Sequence, residues 1–418
     1  MKNFTNLFRY FITRVFFRAV GVHLSSYLNF IEEFWRLNEE EQREKQLEFL
    51  NGLGLKDESG KVICDFDSFS RLPIMTKSNF KSRGSTIIEK SAKGSFIRKT
   101  AGTTSSPTTV VLNKDELSKL LAVRDYCFKN HGFRLGSREA RFWGRATNGF
   151  RNDLKNFLLH RQIFDAVADE PEVFLQKLAR WNPVYIYGYS SMVLEATRIV
   201  KENPVKLPRL RGIVVTAEAI MPPQKAYIES TFAVPVIEEY GSTEFDVIAF
   251  ECRRRHRHLV NPWIHLERES EELLVSDLSR CSQPLIRYSI GDVAEIYHSE
   301  CGAFGSFKCV GEIKGRTINQ IAYGADGKRF HAVIFSRALE HYMVRVDKVF
   351  SFRFVQNEVG VFHMNINGCD EAEENRIKAF VIDFVLSELG VPIEIELSNT
   401  EKVDGKKPYF EQQLEEIH

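Results

Sequence analysis

The chain has 418 residues, of which 43% are hydrophobic and 27% are charged, and its formal net charge is +1. This length and composition predict a globular protein with one large and one smaller domain, each with its own core. The small net charge excludes a global basic field for nucleic acid, so a charged ligand has to be held by a local site. Seven cysteines without dense spacing do not indicate a disulfide scaffold and favour a reducing, cytoplasmic setting.

The N-terminal residues 6–24 are aromatic and apolar, but Arg9, Arg14, Arg18 and His23 interrupt them. No uninterrupted stretch here is long enough to cross a bilayer, and no small-residue cleavage site follows. The favoured interpretation is a helix that covers the main domain. The alternative is an interfacial helix in peripheral contact with a membrane, with Phe and Leu in lipid and Arg at the headgroups.

Helical spacing of apolar residues predicts two helices within residues 26–58, ending near Gly52 and Gly54, and a further helix over residues 115–131. Later in the chain, strands alternate with helices. Strands are predicted at 184–189, 210–215 and 234–237, and helices at 191–201 and from Pro222 onwards. This alternation predicts an α/β fold with a parallel sheet, whose ligands lie at the carboxyl ends of the strands.

Residues 99–109, KTAGTTSSPTT, are rich in small and hydroxyl side chains. Gly102 can adopt the positive φ that exposes successive N–H groups, and hydroxyls add donors without negative charge, so the stretch predicts a phosphate loop. The donors would be Thr100, Thr103, Thr104 and Ser105. Apolar residues 95–97 and the β-branched run 108–112 predict flanking strands. Pro107 and this run exclude the loop-to-helix signature of the P-loop NTPases, and a flexible surface loop is the alternative.

The loop resembles the Thr-Ser-Gly-Thr-Thr-Gly-x-Pro-Thr loop of the adenylate-forming enzymes (acyl-CoA synthetases and ligases), with Ala101 in place of Ser and Ser105 in place of Gly. Four further motifs of this superfamily follow in its order: VTAEAI at 215–220, EYGSTEF at 239–245, PLIRYSIGD at 284–292 and GEIKGRT at 311–317. The branch that the chain most resembles is phenylacetate-coenzyme A ligase and its CapK-like relatives, because residues 250–252 and 327–331 are also similar to theirs.

The resemblance implies that the protein uses ATP and Mg²⁺ to convert a small-molecule carboxylic acid into an acyl-adenylate, releasing pyrophosphate, and transfers the acyl group to coenzyme A. Such a reaction needs charge stabilisation on both phosphate products and an in-line attack. The alternatives are a CapK-like amide ligase that uses an amine acceptor in polysaccharide biosynthesis, and a catalytically silent nucleotide-binding protein.

The resemblance also implies site residues. Lys406, in the Gly-Lys loop near the C-terminus, would bridge the carboxylate and the α-phosphate, Glu244 would ligate Mg²⁺, and Thr104 would contact the pyrophosphate end. The implied nucleotide-binding residues are Thr100, Gly102, Thr103, Thr104, Ser105, Ala217, Glu218, Glu239, Tyr240, Gly241, Ser242, Thr243, Asp292 and Arg316.

The implied domains are an N-terminal core at residues 1–314, with mixed or parallel sheets and helices, and a small mobile α+β lid at residues 315–418. For the lid, the sequence predicts strands at 348–354, 359–366 and 393–397 and a helix at 370–389. In the family this lid rotates between the two half-reactions. The hinge position, usually an Asp, is Asn319 here.

Cysteine and histidine occur as two pairs, Cys252-x₅-His258 and Cys301-x₇-Cys309. Tetrahedral Zn²⁺ accepts such ligands, and the pairs resemble those in some members of the branch. Free buried thiols and a solvated Arg/His-rich loop at residues 253–257 are the alternatives.

Overall fold

The computed structural model describes residues 2–82, 95–99, 108–143, 149–166, 168–270, 272–316, 321–398 and 409–414. The chain forms two units, each held together by its own contacts. The first comprises Met1–Glu139, Asn148–Gln162 and Ile237–Ile313, and the second comprises Ala140–Thr147, Ile163–Val236 and Lys314–His418. Residues 314–418 thus share a unit with residues 163–236, while the division into a core and a mobile lid stays a prediction.

The helices with defined bounds are α1 (Lys2–Ala19), α2 (Leu24–Phe34), α3 (Glu39–Gly52), α4 (Phe66–Phe69), α5 (Lys114–Asn130), α6 (Phe150–Leu158), α7 (Pro171–Trp181), α8 (Ser190–Glu202), α9 (Pro222–Phe232), α10 (Val333–Val346) and α11 (Glu371–Leu389). Capping boxes begin two of them, since Asn38 and Asn113 each accept a backbone N–H three residues on, from Glu41 and Glu116. No helix in these described ranges combines the length and apolar character needed to cross a bilayer.

The strands with defined bounds are β1 (Phe96–Lys99), β2 (Thr109–Leu112), β3 (Glu139–Phe142), β4 (Arg161–Phe164), β5 (Tyr185–Tyr189), β6 (Gly212–Thr216), β7 (Val236–Ser242), β8 (Asp246–Glu251), β9 (Arg257–Leu259), β10 (Ile264–Glu269), β11 (Glu272–Asp277), β12 (Tyr288–His298), β13 (Lys308–Arg316), β14 (Ile321–Tyr323), β15 (Arg329–His331), β16 (Ser351–Glu358), β17 (Val361–Asn367), β18 (Glu394–Leu397) and β19 (Phe410–Gln412).

In the first unit, the strands hydrogen-bond in the order β10-β11-β12-β13-β9-β8-β7. The pairs β10/β11, β11/β12, β13/β9, β8/β9 and β7/β8 are antiparallel. Strands β1 and β2 form a separate antiparallel pair, so the strands predicted on both sides of the phosphate loop are confirmed. Residues 100–107 of the loop itself lie outside the described residues. Val110 and Leu112 of β2 are buried in one apolar cluster with Tyr240 and Tyr288.

In the second unit, β5 and β6 are parallel, with Tyr185 opposite Gly212 and Tyr189 opposite Thr216. The predicted strand-helix alternation is therefore confirmed here. Residues 321–414 add a four-stranded sheet in the order β18-β17-β16-β19, with an antiparallel β16/β17 hairpin and parallel outer pairs. Helices α10 and α11 contribute to its apolar core, and the strands and helix predicted for residues 348–397 are confirmed.

A buried hydrogen bond ties α9 to the part of the chain that precedes β16. The Gln224 side-chain amide donates to the Phe350 carbonyl at 3.0 Å. Met221, next to it, packs against the apolar cluster of residues 321–414, and Val349 packs against the cluster formed by β3, β5 and their helices. These contacts explain why the two parts belong to one unit.

Two motifs outside the predicted strands prove to be strand. Strand β7 continues through Ser242, past the predicted end at Ile237, and Asp292 lies inside β12. The reason is antiparallel pairing, because β8 follows β7 directly and extends its ladder past a register shift at Tyr240–Gly241. A Cβ on Gly241 would lie 1.8 Å from the backbone oxygen of Asp246, so only glycine fits this register.

We expect Gly241→Ala to lower the free energy of unfolding by about 1–3 kcal/mol or more, because the added methyl group overlaps backbone that cannot move without breaking the β7/β8 ladder. Urea unfolding would measure the loss. Gly52→Ala is the matched control, since a Cβ at Gly52 has no neighbour within 4 Å and α3 favours alanine. Equal stabilities of the two variants would contradict the close approach.

Candidate active site and cysteine cluster

Tyr240 and Asp292, both predicted to bind nucleotide, are brought together by β7 and β12. The Tyr240 hydroxyl donates to Oδ2 of Asp292 at 3.0 Å. Gly291, directly before Asp292, has φ +79°, a left-handed conformation that glycine adopts without strain. A carboxylate accepts more than one hydrogen bond, so Asp292 can accept from a diol such as a ribose while Tyr240 orients it.

Glu244 lies in the turn between β7 and β8. Glu244 is only 6% exposed, and its Oε1 accepts a hydrogen bond from the Tyr288 hydroxyl at 3.3 Å. The Ser242 hydroxyl accepts the backbone N–H of Phe245 at 3.3 Å, which shapes the turn that carries Thr243. A buried carboxylate with a neutral phenol as partner is a hard oxygen ligand, so Glu244 fits the chemistry that Mg²⁺ requires.

An ion-pair network joins the base of this turn to α5 and β1. The Arg124 guanidinium donates to the Glu239 carboxylate at 2.8 and 3.3 Å and also contacts Asp246. Arg98 donates to Oδ2 of Asp246 at 3.2 and 3.3 Å. The Glu239 side chain is thus bound by Arg124, and Arg98 links the last described strand before the predicted phosphate loop to the β7–β8 turn.

The network determines the charge state of Asp246. Burial raises the pKa of this carboxyl, but the guanidinium groups of Arg124 and Arg98 outweigh it and lower the pKa from 3.8 to about 2. Asp246 is therefore ionised at neutral pH. Because the charges of this network compensate one another, removing any one of them destabilises the fold.

Ala217 and Glu218 lie in the second unit, directly after β6. Ala217 has φ +68°, which turns the chain sharply at the end of the strand. Oε2 of Glu218 accepts the backbone N–H of Ser191 at 2.8 Å, and the Ser190 hydroxyl donates to the Glu218 carbonyl at 3.1 Å. Glu218 therefore caps the N-terminus of α8.

A largely buried aromatic cluster lies beside it, where β3 and β5 end. The rings of Trp143 and Tyr189 stack with centroids 4.1 Å apart, and the Arg141 guanidinium lies 4.5 Å from the centroid of the Tyr187 ring. The position agrees with the expectation that ligands bind at the carboxyl ends of parallel strands.

Several predicted site residues lie outside the described residues, namely Thr100, Gly102, Thr103, Thr104, Ser105, the hinge residue Asn319 and Lys406. Arg316 is the last residue of β13.

Cys252, His258 and Cys301 come together in the first unit, and Cys309 contacts His258; these four residues are here called the cysteine cluster. The sulfur atoms of Cys252 and Cys301 are 3.7 Å apart, and ligand atoms of Cys252, His258 and Cys301 all lie within 4.8 Å of one another. Cys309 pairs directly with His258 across β13 and β9, and its sulfur lies 3.4 Å from Nδ1 of that ring. Two thiolates on one tetrahedral zinc at about 2.3 Å would lie roughly 3.8 Å apart.

The histidine of the cluster has an orphaned nitrogen. Nδ1 of His258 lies 2.6 Å from the Ser306 carbonyl, while Nε2 is buried and makes no hydrogen bond. Burial lowers the pKa of His258, which keeps the ring neutral, and raises the pKa of the Cys309 thiol to about 11. A neutral imidazole, buried thiols and an unpartnered nitrogen fit a metal ion, since bound zinc would stabilise the thiolates.

Three residues of the site have no role in the sequence-based prediction: Arg124, Asp246 and Tyr288. Arg124 looks like one more charged position of an amphipathic helix, and its partners lie 115 and 122 residues away. Tyr288 belongs to the PLIRY motif, which could have marked it as a partner for a motif carboxylate.

We expect Asp246→Asn to lower the free energy of unfolding at neutral pH by about 3–5 kcal/mol, because Arg124 and Arg98 would lose a buried counterion. Since folding lowers the pKa from 3.8 to about 2, the ionised carboxylate stabilises the fold above that interval, and its contribution is lost as the pH falls through it. Denaturant unfolding at several pH values should show the difference between wild type and variant shrinking below pH 3.8. Asp153→Asn, at an exposed position, is the control, and a difference independent of pH would contradict the assignment.

Comparison with known proteins found a curated relative and a number of solved structures. No protein-family model matches the chain. The protein CapK of Staphylococcus aureus is 24% identical over 263 residues, which cover 57% of this chain and 56% of CapK. The chain thus aligns with little more than half the length of this curated relative.

Solved structures match over a larger part of the chain. A 2-hydroxyisobutyryl-CoA ligase in the postadenylation state, in complex with R3-HIB-AMP, superposes with a TM-score of 0.64 at 14% identity, covering 93% of this chain and 89% of that one. The anthranilate CoA ligase AuaEII in complex with anthranoyl-AMP gives a TM-score of 0.53 at 13% identity, covering 74% and 65%. The chain has the mixed α/β fold of the acyl-CoA and adenylate-forming ligases.

Proposed function

We propose that the protein is an AMP-forming ligase that activates a small-molecule carboxylic acid with ATP and transfers the acyl group to coenzyme A, in the manner of phenylacetate-CoA ligase. The observation that carries the proposal is that two motif carboxylates, Glu244 and Asp292, are each held by a tyrosine hydroxyl, and that these two hydrogen bonds link β12 to β7 and to the β7–β8 turn within one unit. The two structural neighbours are CoA ligases that each hold an adenylate, which supports the same chemistry for this protein.

In this proposal each carboxylate has a separate task. Asp292 accepts the ribose hydroxyls, with Tyr240 fixing its orientation, and Glu244 with Thr243 lies along the phosphates. Bound Mg²⁺ would neutralise phosphate charge as pyrophosphate leaves. The hydroxyls of Thr103 and Thr104 hold the departing pyrophosphate, and the Lys406 ammonium bridges the attacking carboxylate and the α-phosphate.

The acyl pocket is proposed to lie beside the aromatic cluster of Trp143, Tyr187 and Tyr189. Stacked aromatic rings favour a substrate whose acyl part is apolar or aromatic, and the Arg141 guanidinium adds a positive charge beside them. Glu218 acts there by holding the first turn of α8, and with it the backbone beside the pocket.

An amine acceptor in polysaccharide biosynthesis is the second candidate, because the chain is similar to CapK and the sequence resemblance implies a CapK-like amide ligase as an alternative. The first half-reaction is the same for a thiol and an amine. Exchange of labelled pyrophosphate into ATP, across a panel of acids, tests adenylate formation alone. Adding coenzyme A or amino sugars to the acid that responds then separates the two acceptors.

We expect Glu244→Gln to lower the rate of ATP–pyrophosphate exchange by about a hundredfold to a thousandfold and to raise the Mg²⁺ concentration needed for half-maximal rate, because the amide keeps the shape but loses the charge. Glu58→Gln makes the same chemical change at an exposed position and should leave exchange unaltered. A wild-type magnesium titration of Glu244→Gln, in folded protein, would contradict the role of Glu244.

We further propose that the cysteine cluster binds one structural Zn²⁺. The support is the 3.7 Å separation of the Cys252 and Cys301 sulfur atoms together with the orphaned Nε2 of His258. The ion would join β9 and β13 to the end of β8 that lies away from the β7–β8 turn, and would stabilise the fold without contacting the nucleotide.

Purified protein should therefore contain about one equivalent of zinc by elemental analysis, and Cys301→Ser should lose it. The variant should also unfold at lower denaturant concentration, while its affinity for ATP stays unchanged. Cys64→Ser, which changes an exposed cysteine outside the cluster, should keep both the metal and the stability. Fully folded wild-type protein without metal would exclude the zinc site.

A further inference from the structure

A glutamine side chain pairs with the edge of β2 that faces away from β1. Among the described strands, β1 and β2 form a sheet of their own, so the backbone groups on this edge need other partners. Oε1 of Gln283 accepts the Val111 N–H at 2.9 Å, and Nε2 of Gln283 donates to the Thr109 carbonyl at 3.3 Å. The one side-chain amide thus pairs with two residues of β2 as a neighbouring antiparallel strand would.

This contact is buried and supported from α5. Gln283 is only 1% exposed, and the hydroxyl of Ser282 lies 3.2 Å from the Val111 carbonyl. The Glu116 carboxylate accepts the backbone N–H groups of Cys281 and Ser282 at 3.0 and 2.9 Å, which anchors the segment that carries the glutamine. Because a buried amide loses free energy when its partners are missing, Gln283 fixes the distance between this segment and β2.

Gln283 joins two segments that are both predicted to bind nucleotide. Thr109 ends the stretch that predicts a phosphate loop, and it lies opposite Lys99, where the β1–β2 hairpin closes. Gln283 itself directly precedes the motif at residues 284–292, which ends in Asp292. The glutamine therefore relates the end of the predicted phosphate loop to the carboxylate that is proposed to accept the ribose hydroxyls.

We propose that Gln283 is a positioning residue for the β- and γ-phosphates of ATP. It holds β2, and with it the end of the predicted phosphate loop, in register with a nucleotide whose ribose is bound at Asp292. This inference rests on the proposed ligase function and adds a residue to which the sequence motifs assign no role. Donors that are already in place bind more tightly, because no binding free energy is used to order them. AMP lacks these two phosphates, so its binding does not depend on this register.

The test compares the affinities of full-length wild type and Gln283→Met for ATP and for AMP, each with Mg²⁺, by isothermal titration calorimetry. Methionine has a similar length but forms neither hydrogen bond to β2. We expect ATP binding to weaken about tenfold and AMP binding to change by less than about twofold. The KM for ATP in pyrophosphate exchange should rise by a similar factor. A purely structural role of Gln283 would not separate ATP from AMP.

Gln46→Met is the matched control in the same unit. The Gln46 side-chain amide donates to the carbonyls of Pro262 and Ile264 at 3.1 and 3.3 Å, so the substitution also removes side-chain hydrogen bonds to the backbone. It should unfold at lower urea concentration than wild type and bind ATP and AMP as wild type does.

A second variant covers the case in which Gln283→Met does not fold. Gln283→Glu keeps an acceptor for the Val111 N–H but, once ionised, cannot donate to the Thr109 carbonyl. At about pH 8.5, above the usual carboxyl pKa, it should weaken the binding of ATP and spare that of AMP. If wild type binds ATP and the folded Gln283 variants bind ATP equally well, or lose ATP and AMP affinity equally, this inference is overturned and the proposed function stands. Wild type that binds no ATP overturns both.

Discussion

The buried contact between Arg124 and the carboxylates of Glu239 and Asp246 holds the candidate site in place. Each charge alone would be costly away from water, so the three groups are stable only as a set, and Arg98 completes it from β1. The set joins four separate stretches of chain: the strand before the predicted phosphate loop, α5, β7 and the start of β8. Position and charge at the β7–β8 turn therefore depend on Arg124, a residue for which the sequence predicts no role.

The sequence predicts those features of the fold and site that neighbouring residues determine, and not those that depend on residues far apart in the chain. The capped helices α3 and α5 and the strands around residues 100–107 follow from neighbouring residues, and the structure has them where the sequence predicts them. The continuation of β7 past Ile237 could not be predicted, because the pattern around Gly241 reads as a turn and only pairing with β8 makes it a strand. The partners of Arg124 could not be predicted either, because they are more than a hundred residues away in the sequence.

The cysteine cluster could be predicted only in part. The five residues between Cys252 and His258 form most of the connection between β8 and β9. These two strands pair with Phe250 opposite His258, which brings Cys252 close to the histidine. The antiparallel pairing of β13 with β9 then sets Cys309 against His258. Loose spacings in sequence thus become close contacts through strand register, and the orphaned Nε2 of His258 is a signal that only the structure provides.

The hydrogen bond from Gln224 to the Phe350 carbonyl has a consequence for conformational equilibrium. If residues 321–414 swing away from α9, the amide and the carbonyl both lose their partner, and Met221 and Val349 lose apolar contacts. Exchanging this hydrogen bond for hydrogen bonds to water costs about 0.5–1.5 kcal/mol, and each 1.4 kcal/mol changes a population ratio about tenfold. Gln224 thus biases the ensemble towards the arrangement described here, and any ligand that favours a swung arrangement binds with its affinity reduced by the same factor.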